Sequence, residues 1–109
     1  MINVDLLYPV GSIYLSIKSK NPSEIFGGTW ERIAKGKTLV GVDENDTDFN
    51  ASSKTGGEKT HKLTIEELPI NSFKANGSSG DWTYLGVSSI KPHNNMQPYY
   101  TCYIFVRTA

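Results

Sequence analysis

The segment YYTCYIFVR, residues 99–107, alternates Tyr99, Thr101, Tyr103, Phe105 and Arg107 against Tyr100, Cys102, Ile104 and Val106. Aromatic and β-branched residues fall on both sides of that alternation, the mark of a strand covered on both faces. The segment is expected to be an inner strand, or one facing another subunit. Cys102, the chain's single cysteine, cannot form an internal disulfide and is expected to be inert packing within this strand.

A second strand is expected over residues 10–17, where Ile13, Leu15 and Ile17 share one side and Ser12, Tyr14 and Ser16 the other. Asn21-Pro22-Ser23-Glu24 then supplies an N-cap residue, a proline at the first helical position and an early glutamate. Gly27 and Gly28 stop that single turn and let the chain reverse into a strand over residues 29–33, with Trp30 in the core. Thr64 and Glu67 repeat the capping device, closed by Pro69. Strands interrupted only by one-turn helices and long loops make the expected fold mainly β and antiparallel.

At 109 residues the chain suits one domain, residues 1–109, and is too short for two independent cores. Its apolar residues fall a little below the roughly 45–50% usual in soluble domains. The six Tyr and two Trp can make good a thin core by packing against another copy, so self-association is expected. Lys plus Arg balance Asp plus Glu at 11 each, without a basic cluster, which argues against nucleic acid as a partner. No run approaches the roughly 20 apolar residues of a spanning helix, so membrane insertion is not expected.

Two polar stretches invite ligand readings. Residues 43–61 are too long and polar for a hairpin turn, which marks a functional or mobile loop. Asp43, Asn45 and Thr47 have the spacing of a calcium loop, but Asp48 stands where glycine is needed and Lys54 where a bidentate glutamate is needed. Residues 71–89 are rich in Gly, Ser and Asn and carry Asn76, Asp81, Trp82 and Tyr84. An aromatic ring there can stack on a sugar while Asp and Asn bind its hydroxyls, making these four residues the candidate ligand-binding set. Packing of Trp82 and Tyr84 beneath their own hairpin is the competing reading.

Catalysis finds no signature. His61 and His93 lie on separate segments without a nucleophile, and the adjacent Glu66 and Glu67 cannot both face one cleft from a helical turn. No catalytic residue, metal ligand set or cofactor is assigned. A metal on a threefold axis would need only one histidine from each chain, His61 or His93.

In order along the chain, YPVGSIYLS, NPSEIFGGTWERI, KGKTLVGVDENDTDF, KTGGEKTHKLTIEELP and HNNMQPYYTCYIFVRTA resemble the C-terminal domain of baseplate wedge and tail-fibre proteins of tailed bacteriophages, akin to the tail-collar domain. The resemblance runs over residues 8–109 and implies a β-rich homotrimer in the phage tail, assembled in the bacterial host cytoplasm. Two features depart from that pattern. A His-x-His metal pair expected after the Glu-Leu-Pro is replaced by Ile70-Asn71-Ser72-Phe73, and the variable insertion before His93 is short.

The expectation is a non-enzymatic receptor-binding module of a tail fibre that adheres to host cell-surface carbohydrate. The alternative is a purely structural trimerisation or capping module, bound to other tail or baseplate proteins. Tyr99, Tyr103 and Phe105 are the candidate trimer-interface residues.

Overall fold

The computed structural model describes residues 3–69, 74–76, 82–84 and 91–109, with backbone alone for 74–76 and 82–84. It divides into two units, Met1–Lys54 with Tyr100–Ala109, and Thr55–Tyr99. The described strands are short and pair antiparallel, and the described helical elements are single turns.

In the first unit, β1 (Ile13–Ser16) and β2 (Trp30–Arg32) flank β7 (Tyr103–Arg107) in the order β1-β7-β2. The C-terminal segment is thus an inner strand, as its two-sided alternation requires. Tyr14 pairs with Phe105 across one ladder, and Arg32 pairs with Phe105 across the other. β7 is shorter than the sequence pattern suggests. Cys102 is exposed and precedes the strand, because β1 ends with Ser16 opposite Tyr103 and leaves residue 102 no partner.

One face of this sheet carries the unit's core. Tyr8, Tyr14, Phe26 and Trp30 form an aromatic cluster with ring centroids 5.2–6.1 Å apart, mostly edge to face, the arrangement that ring quadrupoles favour. Trp30 is 5% exposed, Phe105 2%, and Pro22 is fully buried. The helical turn α2 (Ser23–Phe26) delivers Phe26 to that cluster. Asn21 Oδ1 accepts the Ser23 N–H at 2.9 Å, and Pro22 already has helical backbone angles, so the capping device forms as the sequence implies. Gly27 and Gly28 end the turn at φ +78° and +79°, and the Trp30 indole N–H donates to the Gly27 carbonyl at 3.0 Å.

Arg107 is the one charged group buried among the described residues. Its Nη1 donates to the Tyr8 carbonyl at 2.8 Å and to Asp5 Oδ1 at 2.7 Å, and its Nε donates to the Ala109 carbonyl at 3.1 Å. The guanidinium thereby ties the N-terminal turn α1 (Val4–Leu7) to the last strand and satisfies its own burial. A Cβ on Gly28 would stand 2.9 Å from Arg107 Nε, so this approach requires glycine on packing as well as backbone grounds.

The acidic loop is closed by its own bonds. Asp43 N–H donates to the Phe49 carbonyl at 2.8 Å, and Lys54 Nζ reaches the Thr47 carbonyl at 2.7 Å and Asn50 Oδ1 at 3.0 Å. Asp43 and Asp46 each accept a backbone N–H two residues on, the local bond that makes Asp a turn former.

In the second unit, β3 (Thr60–His61) pairs with β6 (His93–Asn94), and β4 (Lys74–Asn76) with β5 (Trp82–Tyr84). Asn95 extends the first ladder by donating its N–H to the Lys59 carbonyl at 3.1 Å and its amide to the Glu58 carbonyl at 3.3 Å. A 3-10 turn, Ile65–Glu67, follows Thr64, whose N–H donates to Glu67 Oε1 at 2.7 Å, so Glu67 is the capping partner its spacing indicated. None of residues 55–69 and 91–99 is buried, and Leu63 and Ile65 are exposed.

Candidate assembly surface

Strand alternation gives the three-stranded sheet a second face. Ile13 and Leu15 stand opposite Val106 and Ile104 respectively, all four on the side away from Tyr14 and Phe105. Ile104 is buried at the centre, Val106 is half-buried, and Ile13 and Leu15 are 45% and 54% exposed. Ile17, just past β1, is 68% exposed. The sheet's largely aliphatic face, on which exposed Glu31 also lies opposite Val106, is open along β1, and the tyrosine-bearing face is the packed one. Tyr8 and Phe26 explain the difference, because they cover Tyr14 on one side while Ile13 and Leu15 on the other stay exposed.

The residues singled out from the sequence are distributed as follows. Tyr103 is half-buried beneath Arg32, whose guanidinium carbon lies 4.7 Å from its ring centroid. Phe105 is buried within its own chain, and Tyr99 is 70% exposed. Asp81 lies outside the described residues. Asn76 and Trp82 are register partners in the β4–β5 hairpin, and Tyr84 pairs with Lys74.

One constellation was not read from the sequence. His61 is bonded on both ring nitrogens by carboxylates, Glu58 at Nδ1 and Glu67 Oε2 at Nε2, the latter at 2.7 Å. His93 is its register partner, with ring centroids 5.6 Å apart. The clue was present in Glu58-x-x-His61 and in the Thr64–Glu67 capping pattern, but joining them required knowing where the turn sends Glu67. A neutral imidazole has one N–H, so two carboxylate contacts call for the imidazolium.

The Glu58 and Glu67 contacts accordingly raise the His61 pKa above its ordinary 6.5, while bonds from Thr64 lower that of Glu67 below 4.5. The raised histidine stabilises the fold below pH 6.5, an effect lost as pH rises through its folded value; the lowered glutamate stabilises above pH 4.5 and is lost on acidification. The clamp is thus firmest between those limits. An NMR titration of the His61 ring should show a midpoint above 6.5 that falls in Glu58→Gln. A midpoint at or below 6.5 would contradict the clamp.

Among the described residues no group of three or more His, Cys, Asp or Glu is placed to hold a metal ion, and no helix is long and apolar enough to cross a membrane. The geometry thus centres on an open apolar sheet face. The family described as "Baseplate structural protein Gp10, C-terminal domain" matches residues 3–86. The chain belongs to this family. It is a phage baseplate domain with a structural role, and its place is the virion. No curated protein matches the chain. The region matched to the baseplate domain spans β1, the aromatic cluster and β2, while β7, which joins the two outer strands, lies beyond it.

Proposed function

We propose that this baseplate domain is a non-catalytic assembly module whose copies associate through the face of Ile13, Leu15, Ile104 and Val106 into a homotrimer that joins other baseplate or tail proteins. The open aliphatic face carries this reading. A contiguous apolar sheet surface is uncommon on a monomer and is the usual raw material of an obligate interface. Tyr99, at 70% exposure, is available to a partner as well; Phe105 supports the face from beneath. If folding is linked to association, the thermal midpoint rises with protein concentration. A midpoint independent of concentration over a hundredfold range would count against obligate assembly.

A second reading is host attachment as part of a tail fibre, with Asn76, Asp81, Trp82 and Tyr84 binding surface carbohydrate. The antiparallel β4–β5 hairpin favours it by making Asn76 and Trp82 register partners. Under this reading Trp82→Ala loses attachment to host cells at unchanged oligomer mass; undiminished attachment would remove the hairpin from consideration.

A further inference from the structure

At the end of the sheet where β1 and β2 run out and β7 begins, the first unit holds a cleft of about 530 Å³. That volume lies within the roughly 300–1,000 Å³ of small-ligand sites. Its walls are unlike the rest of the sheet. Ile17 and Ile104 supply apolar surface, while Arg32, Lys35 and Thr101 supply polar groups.

Arg32 is the central feature. Its guanidinium lies over the Tyr103 ring at 4.7 Å and is 5.8 Å from the Phe105 centroid. A guanidinium held over an aromatic ring in this way can still offer N–H donors to a planar or tetrahedral anion. Among the described residues the ion pairs involve His61 and Arg107, and no carboxylate lies within ion-pair distance of Arg32 or Lys35.

Lys35 sits on a tight turn at the rim, closed by the Lys37 N–H donating to the Ala34 carbonyl at 3.0 Å. Ala34 is held there at φ +54°, a left-handed conformation that costs a non-glycine residue energy, with Gly36 at +69° completing the turn. The strained turn therefore adds a second cation to the lining of a cleft whose arginine has no ion-pair partner among the described residues.

We propose that this cleft binds a small ligand of about monosaccharide size bearing one carboxylate or phosphate group. Arg32, exposed on the Tyr103 side of the sheet, grips the anion through its N–H groups, and Lys35 adds charge from the rim. All the residues that line the site belong to the first unit.

The test uses the whole chain and three probes at equal ionic strength: inorganic phosphate, glucuronate and glucose. Either anion should give saturable changes in the backbone NMR signals of Lys35, Gly36 and Thr101, and glucose should give none. Phosphate alone identifies a phosphate site, and glucuronate binding extends it to sugar acids. Because a hydrogen-bonded charge contact is worth about 1.5–3 kcal/mol, Arg32→Ala should weaken binding at least about tenfold. Arg32→Lys keeps the charge without the fork or the stack and should still lose most of the affinity. Lys35→Ala, in the exposed turn, should lose a few-fold and keeps the test valid if Arg32→Ala does not fold.

Three results would overturn the proposal. One is a set of changes that does not saturate. Another is equal binding by the wild type and both Arg32 variants. The third is an assembled wild type that takes up neither anion while Arg32→Ala changes its mass, since a carboxylate of another copy would then fill the cleft.

Discussion

Leu15→Glu is expected to turn the assembled protein into separate, folded chains. Leu15 is already 54% exposed in a single chain, and the aromatic core lies across the sheet from it, so a carboxylate there is solvated and does little harm to the isolated fold. At a subunit interface the same carboxylate is removed from water without a partner, once in every copy. An unpaired buried charge costs about 3–5 kcal/mol, enough to weaken association by about a hundredfold or more. Light scattering reads the change in mass, and near-ultraviolet circular dichroism checks that the environment of Trp30 is kept. Unchanged mass would move the interface off this face.

Trp30→Ala should do the opposite, damaging the chain itself. The indole is 5% exposed, packs against Tyr8 and Tyr14 at 5.6 and 6.1 Å, and bonds the Gly27 carbonyl at 3.0 Å. Truncating a buried Trp costs about 3–5 kcal/mol, a large share of the roughly 5–15 kcal/mol that holds a small domain folded. Trp30→Phe keeps most of the packing and loses the bond to Gly27, so its loss should be smaller. Denaturant titration of both variants gives the difference. A loss below about 1 kcal/mol for the alanine variant would mean that the aromatic cluster is not the unit's core.

The sheet was legible where the pattern is dense and local. Alternation on both sides of residues 103–107 marked the inner strand, and Asn21-Pro22 and Thr64–Glu67 marked two of the three described helical turns, leaving α1 (Val4–Leu7) unread. The limits of β7 were not legible, because residues 99–102 have the composition of a strand and lack only a partner. Alternation also told that β1 has two unlike faces without telling which is covered. That depends on Tyr8 and Phe26, which come from other parts of the chain.

The histidine clamp was hidden for a similar reason. His61 and His93 are 32 positions apart, and only the β3–β6 register makes them neighbours. Arg107 read as one more alternating strand residue, whereas its role is to hold the Tyr8 and Ala109 carbonyls and Asp5 together from inside the core. The family resemblance added what local pattern could not, the baseplate setting, and the family match bears that out.

The mass of the purified chain in solution, followed by light scattering through a dilution series, bears most directly on the central claim. Assembly through the open face of Ile13, Leu15, Ile104 and Val106 predicts three times the chain mass, held as the protein is diluted. A mass of one chain at every concentration would contradict it, and would leave that aliphatic face to be covered by a different protein.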